Sequence, residues 1–197
     1  MHVKGGTWQH NKIPENERGK FKGLAHPEFI KFLRREKYTS LELLPTEAFG
    51  TDTPVAERGR INYWGFQPMV FMSPHTDYAA DKSRPEAEYA HTIATLKKNG
   101  IEVVMHVVPN HTLEGGRGGP VVNLRGMDDR LYHYPKPGEP PDWSGAGNIR
   151  DFGHPINVRL FLEELKYWSV DRQEAYATPE AVLERHFPEA LRPAAAP

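Results

Sequence analysis

The run VVMHVVPNH, residues 103–111, sets one imidazole, His106, inside an apolar β-branched stretch. A second, His111, follows Asn110 just past Pro109, which ends the stretch. An amide beside an imidazole at a strand end suits hydrogen bonding to a hydroxyl or coordination of a hard cation. The long loop before it contributes INYWGFQP, in which Tyr63, Trp64 and Phe66 supply ring faces. Ring faces next to hydrogen-bonding side chains are how a protein holds a sugar, which is apolar on its faces and polar at its rim. His111, Phe66, Trp64 and Asn110 are therefore the candidate substrate-binding residues, although any one aromatic could equally cover the core.

Other chemistry finds less support. His75, His106, His111, His133 and His154 could offer imidazole to a metal, but no spacing resembles HExxH and the chain has no cysteine, so neither a metal site nor a cofactor is assigned. The carboxylates Glu114, Asp128, Asp129 and Asp151 fall on loop segments, where acidic side chains are usually solvated. None is assigned a catalytic role.

These residues must be positioned by a framework of helices and strands. HPEFIKFLRRE, from His26, places Pro27 at a helix start with Phe29, Ile30 and Leu33 on one face. YTSLELLP then reads as a strand ended by Pro45, followed by a loop rich in Gly, Pro and Thr that contains INYWGFQPMVFMSP. The order repeats. Ser83 and Glu86 have capping-box spacing, EAEYAHTIATLKK turns Tyr89, Ile93 and Leu96 inward, and Asn99 with Gly100 stops the helix. IEVVMHVV forms the next strand, and a third helix starts near Pro155 and runs through Leu160, Phe161, Leu165 and Trp168. Such alternation favours an α/β fold with a parallel sheet, whose loops at the strand C-termini carry chemistry. With a period of two, Ile101, Val103, Met105 and Val107 face the helices, and Glu102, Val104, His106 and Val108 face the other way. His106 is then a buried polar group that needs a partner.

Composition bounds the partners. With 197 residues, 38% hydrophobic and 26% charged, the chain can build one core, and a net charge of -1 gives no argument for nucleic acid or an anionic membrane. No apolar run is long enough for a signal peptide or a membrane helix, so a cytoplasmic location is expected. The residues from Asp171 differ in kind. ATPEAVLERHFPEALRPAAAP could form one short helix capped by Thr178 before a disordered Ala/Pro end. The expected division is 1–170 as one domain and 171–197 as a divergent tail.

SLELLPTEAF, RINYWGFQPMVFMSPHTDYA, GIEVVMHVVPNHTLEGGRGGP, LRGMDDRLYHY and DWSGAGN, in that order and spacing, resemble the first part of the α-amylase superfamily barrel of glycogen-debranching, isoamylase-type glycoside hydrolases. HVKGGTWQHNKIPENERGKFKGLAHPEFIKFL resembles the start of the same barrel. The resemblance implies a partial TIM (β/α)8 barrel, about the first three βα units, open rather than closed. It also implies an α-glucan ligand such as glycogen or a maltooligosaccharide, and retaining hydrolysis of α-1,6-glucosidic bonds in the complete enzymes.

That reaction needs two carboxyl groups about 5 Å apart, which the family carries after its fourth and fifth strands, with a further aspartate after the seventh. Where the fourth strand should begin, this sequence reads SVDRQEAYATPEAV, which matches nothing in the pattern. A truncated, catalytically incomplete homologue with no catalytic residues is therefore expected. The alternatives are a non-catalytic glucan-binding module and a His-based metalloprotein.

By the resemblance, His111 matches a histidine that binds the sugar on the non-reducing side of the cut, and Asn110 matches a residue that binds calcium in some relatives. Phe66 stands where a stacking tyrosine is usual, His106 where the family has an aspartate, and Gly6 where an aromatic is usual. An open barrel edge would also favour self-association.

Overall fold

The computed structural model describes residues 1–116, 118–134 and 144–169. The expected tail from Asp171, with its helix from Thr178, lies outside the described residues, as does the domain boundary drawn at 170.

The elements in chain order are α1 (Val3–Thr7), α2 (Phe21–Ala25), α3 (Pro27–Arg35), β1 (Ser40–Leu43), β2 (Glu47–Phe49), α4 (Thr53–Ala56), β3 (Pro68–Pro74), α5 (Pro85–Lys98), β4 (Glu102–Met105), α6 (Leu124–Tyr132), β5 (His133–Tyr134), β6 (Ile149–Arg150) and α7 (Pro155–Trp168). The arrangement is α/β. β1 and β4 lie side by side and parallel, pairing Leu41 with Val103 and Leu43 with Met105. Those four side chains turn towards the helices, where Phe21 and Leu24 of α2, Phe29, Ile30 and Leu33 of α3, and Tyr89, Ile93 and Leu96 of α5 form one buried cluster with them. This is the face that the period of two predicts. On the other face Val104 is exposed, and the Ser40 hydroxyl donates to Glu102 at 3.1 Å.

Local chemistry sets the helix ends. Pro27 opens α3 while the His26 ring accepts the Glu28 N–H, and Arg34 and Arg35 sit in its last turn, where cations favour the dipole. α7 repeats the device with His154 and Pro155. The expected capping box of α5 does not form. Arg84 occupies the cap position, because Ser83 spends both its N–H and its hydroxyl on Asp81, at 3.0 and 2.6 Å. Glu86 instead accepts from the Tyr167 hydroxyl of α7 at 2.7 Å.

Two further expectations are corrected. The strand read through Val108 ends at Met105, with one more ladder bond from His106 N–H to Leu43. Its partner strand leads into Pro45, which has no N–H to continue the ladder. The segment PMVFMSP, read as loop, is strand β3 and pairs antiparallel with β2 through an irregular register. The short helices α1, α2 and α6 were not foreseen either. Their sequences contain glycine and little periodicity, and they are held by distant contacts such as the Gly19 N–H on the Thr7 hydroxyl at 2.8 Å. Among the described residues no helix is long and apolar enough to cross a membrane.

Leu96 has no exposed surface and packs where α5 meets the ladder. Leu96→Ala should lower the unfolding free energy by about 2–5 kcal/mol, read as a shifted urea midpoint with an unchanged slope.

Candidate functional site

At the C-terminal ends of β1 and β4 the chain brings together the loop after β4 and the NYWGF loop before β3. His111 Nε2–H donates to the Phe66 carbonyl at 2.8 Å, which ties the two loops to each other. The Phe66 ring, 40% exposed, meets the His106 ring edge to face at 6.4 Å. Gly65 makes this approach feasible. It has φ of 85°, and a side chain there would press on the Pro45 carbonyl at 3.1 Å. Trp64 is 59% exposed and stands edge-on to Tyr63 at 5.3 Å. Asn110 is exposed, and its carbonyl accepts the Arg150 N–H at 2.9 Å.

His106 differs from its expected setting. Its side chain is 38% exposed rather than buried, and Nε2 donates to the Glu42 carboxylate. The cause is the early end of the strand, which leaves the inward side open at this position. Phe66, His106 and His111 thus converge, with Trp64 two residues along the same loop and Asn110 beside His111 in the chain.

Glu114 was expected on a solvated loop. It is fully buried and accepts N–H groups from Val122 (3.1 Å), Asn123 (2.7 Å) and Arg125 (3.1 Å), at the start of α6. Arg125 in turn donates to the carbonyls of Glu114, Gly115 and Gly116 at 2.8–2.9 Å. Asn148 completes the loop, accepting from Thr112 N–H at 2.9 Å and donating to the Thr112 and Gly115 carbonyls at 3.1 Å. Asp128 breaks α6 with an extended backbone and caps the turn that follows, accepting from Arg130 and Leu131. Asp151 is buried, and Asp129 is exposed and paired with Arg125.

Beneath the loop lies a buried charge cluster that the sequence reading missed. Arg150, 1% exposed, pairs with Glu164 at 2.9 Å, and its guanidinium lies 4.6 Å from the centre of the Phe71 ring. Glu47, 2% exposed, accepts the Val108 N–H at 3.0 Å. Burial pushes the Glu47 carboxyl up to about 8 and raises that of Glu164, with the Arg150 charge opposing both. An arginine in a short strand and a glutamate beside an apolar run were the available signals. Neither is distinctive without the fold. Among the described residues no three His, Asp or Glu side chains are grouped to hold a metal ion, and the His133 side chain of the five-histidine reading lies outside the described residues.

A glycogen debranching enzyme of Escherichia fergusonii is 38% identical over 168 residues, covering 85% of this chain and 26% of that enzyme. The segment is related to the α-amylase family of glycoside hydrolases. It spans about a quarter of the length of that relative. In fold it is similar to a pullulanase of an Anoxybacillus species complexed with maltotetraose, with a TM-score of 0.69, 21% identity, and coverage of 85% of this chain and 26% of that one. It is similar also to a Paenibacillus barengoltzii pullulanase in complex with maltohexaose and α-cyclodextrin, with a TM-score of 0.71, 22% identity, and coverage of 85% and 28%. A family model described as "Uncharacterized protein conserved in bacteria (DUF2093)" matches residues 157–185.

The glycosidase-related segment carries its own pH test. Because the Glu47 carboxyl titrates near 8 when folded and near 4.5 otherwise, the folded state holds this proton more tightly than the unfolded chain. Its contribution is fully present below about pH 4.5 and is lost as the pH rises towards 8, on the order of a few kcal/mol. Glu47→Gln keeps an acceptor for Val108. Urea unfolding should show a clearly flatter decline in stability between about pH 5 and pH 8 in the variant, and an unchanged slope would contradict the assignment.

Proposed function

We propose that these residues form the glucan-holding part of a debranching-type (β/α)8 barrel, about its first three βα units, without the hydrolytic carboxylates. The observation that carries this reading is the convergence of Phe66, His106 and His111 at the strand ends, with exposed ring faces beside imidazole groups. The ligand is an α-glucan, in keeping with the maltooligosaccharides bound to the pullulanases of similar fold. Phe66 and Trp64 supply stacking faces, His111 fixes Phe66 and borders the sugar, and Asn110 offers its amide at the rim.

Retaining hydrolysis requires a nucleophile and an acid about 5 Å apart. Glu114 is committed to backbone N–H groups, and Glu47 and Glu164 are buried around Arg150. None of these three carboxyl groups has the exposure that attack on a glucan needs, and the exposed Glu42 carboxylate at the site is held by His106. Purified protein should therefore release no reducing sugar from glycogen or pullulan above a buffer blank. By calorimetry, weak binding of maltooligosaccharides should fall several-fold with Phe66→Ala and with His111→Ala, through a lost ring face and a lost hydrogen bond. Hydrolysis that survives purification, or binding untouched by both substitutions, would contradict the proposal.

The same reading concerns assembly. Val70 and Met72 of β3 and Val104 of β4 are exposed large apolar side chains. In a closed barrel the Val104 side chain, on the open face of the parallel ladder, would be covered. Light scattering should accordingly show dimers or larger assemblies of the 197-residue chain. A cooperatively melting monomer would contradict this part of the proposal.

A further inference from the structure

A concavity of about 400 Å³ opens beside the NYWGF loop, between the α1 region and the segment after β3. Its rim carries Lys4, Lys20 and Lys82 against one carboxylate, Asp77. Lys20 donates to the Asp77 carbonyl and Lys82 to its side chain, each at 2.5 Å, so both ammonium groups keep donors to spare. Ring faces come from Trp8, 55% exposed, with the Lys4 ammonium 4.8 Å from its ring centre, and from the side of Tyr63, 41% exposed, opposite the face stacked on His2 at 3.9 Å. Gly19 builds this wall. At φ of 68° it lets Trp8 and Lys4 lie against bare backbone, and a side chain there would meet them at 3.0 and 3.1 Å.

The floor of the cavity has a defined proton arrangement. Gly5 N–H can only donate, so His2 Nδ1, 3.2 Å away, accepts. The Tyr63 carbonyl can only accept, so His2 Nε2, 2.6 Å away, carries the proton. Tyr78 Oη, 3.0 Å from the same Nε2, must then accept from it as well. That leaves the O–H of Tyr78, a residue 4% exposed that lines the cavity, as a donor not used by His2. Burial holds the His2 and His75 pKa values below the usual imidazole value, so the cationic groups of the site are the lysines.

We infer that this cavity is a binding site for a phosphate monoester carried on a sugar ring. Compact ammonium charges and a buried hydroxyl donor suit the phosphate oxygens, and the Trp8 and Tyr63 faces suit the ring. The inference does not depend on glucan binding at Phe66 and His111, neither of which lines this cavity.

The test is titration of the full chain with a hexose 6-phosphate, with inorganic phosphate and the unphosphorylated hexose as comparisons, followed by calorimetry or amide chemical shifts. The sugar phosphate should bind more tightly than either comparison, and its affinity should fall with added salt. Lys4→Ala and Lys82→Ala, both at exposed positions, and Tyr78→Phe should each weaken it by about tenfold. Absence of saturable binding in the millimolar range, equal binding of the neutral hexose or of inorganic phosphate, or affinity unchanged in both lysine variants would overturn the assignment. If Tyr78→Phe fails to fold, the two lysine variants decide.

Discussion

A carboxylate with no access to water can persist only where donors surround it, and Glu114 meets that constraint by drawing the start of α6 onto its own loop. Arg125 closes the exchange, giving hydrogen bonds to the carbonyls of the loop that supplied the carboxylate. Asn148, 36 positions beyond Thr112, pairs with it as a strand residue would. Segments that look unrelated along the chain are therefore one polar unit, and that unit fixes where Asn110 and His111 emerge.

The Arg150–Glu164 pair adds a second anchor at the same place. Arg150 binds Asn110 through its backbone and Glu164 through its side chain, so α7 is connected to the rim of the candidate site. Removing one member of such a pair leaves an uncompensated charge, which costs far more than the net worth of the pair. The arrangement favours a stiff binding edge over a mobile one. It also explains how an open ladder of two parallel strands can present a defined surface.

Sequence periodicity was enough to place the helical framework. α3, α5 and α7 were legible from apolar spacing and from Pro27, Asn99, Gly100 and Pro155 at their ends, and the helix-facing side chains of β4 followed from its alternation. Strand β3 escaped because Pro68 and Pro74 bracket it, and proline ordinarily argues against a strand. Phe66 and His111 were legible as residue types suited to a sugar, but the hydrogen bond joining them spans 45 positions and has no local signature. Glu114, Glu47 and Arg150 were opaque for the same reason. A charged residue looks alike in a sequence whether it meets water or a buried donor, and only packing decides.

The central claim is that an α-glucan lies across the strand ends at Phe66, His106 and His111. The most direct measurement is an amide chemical-shift map of the protein titrated with maltotetraose. The account predicts that the shifts gather in residues 64–66 and 106–111 and leave the α3 and α5 surfaces unchanged. Shifts gathered elsewhere, with those residues silent at saturation, would contradict it.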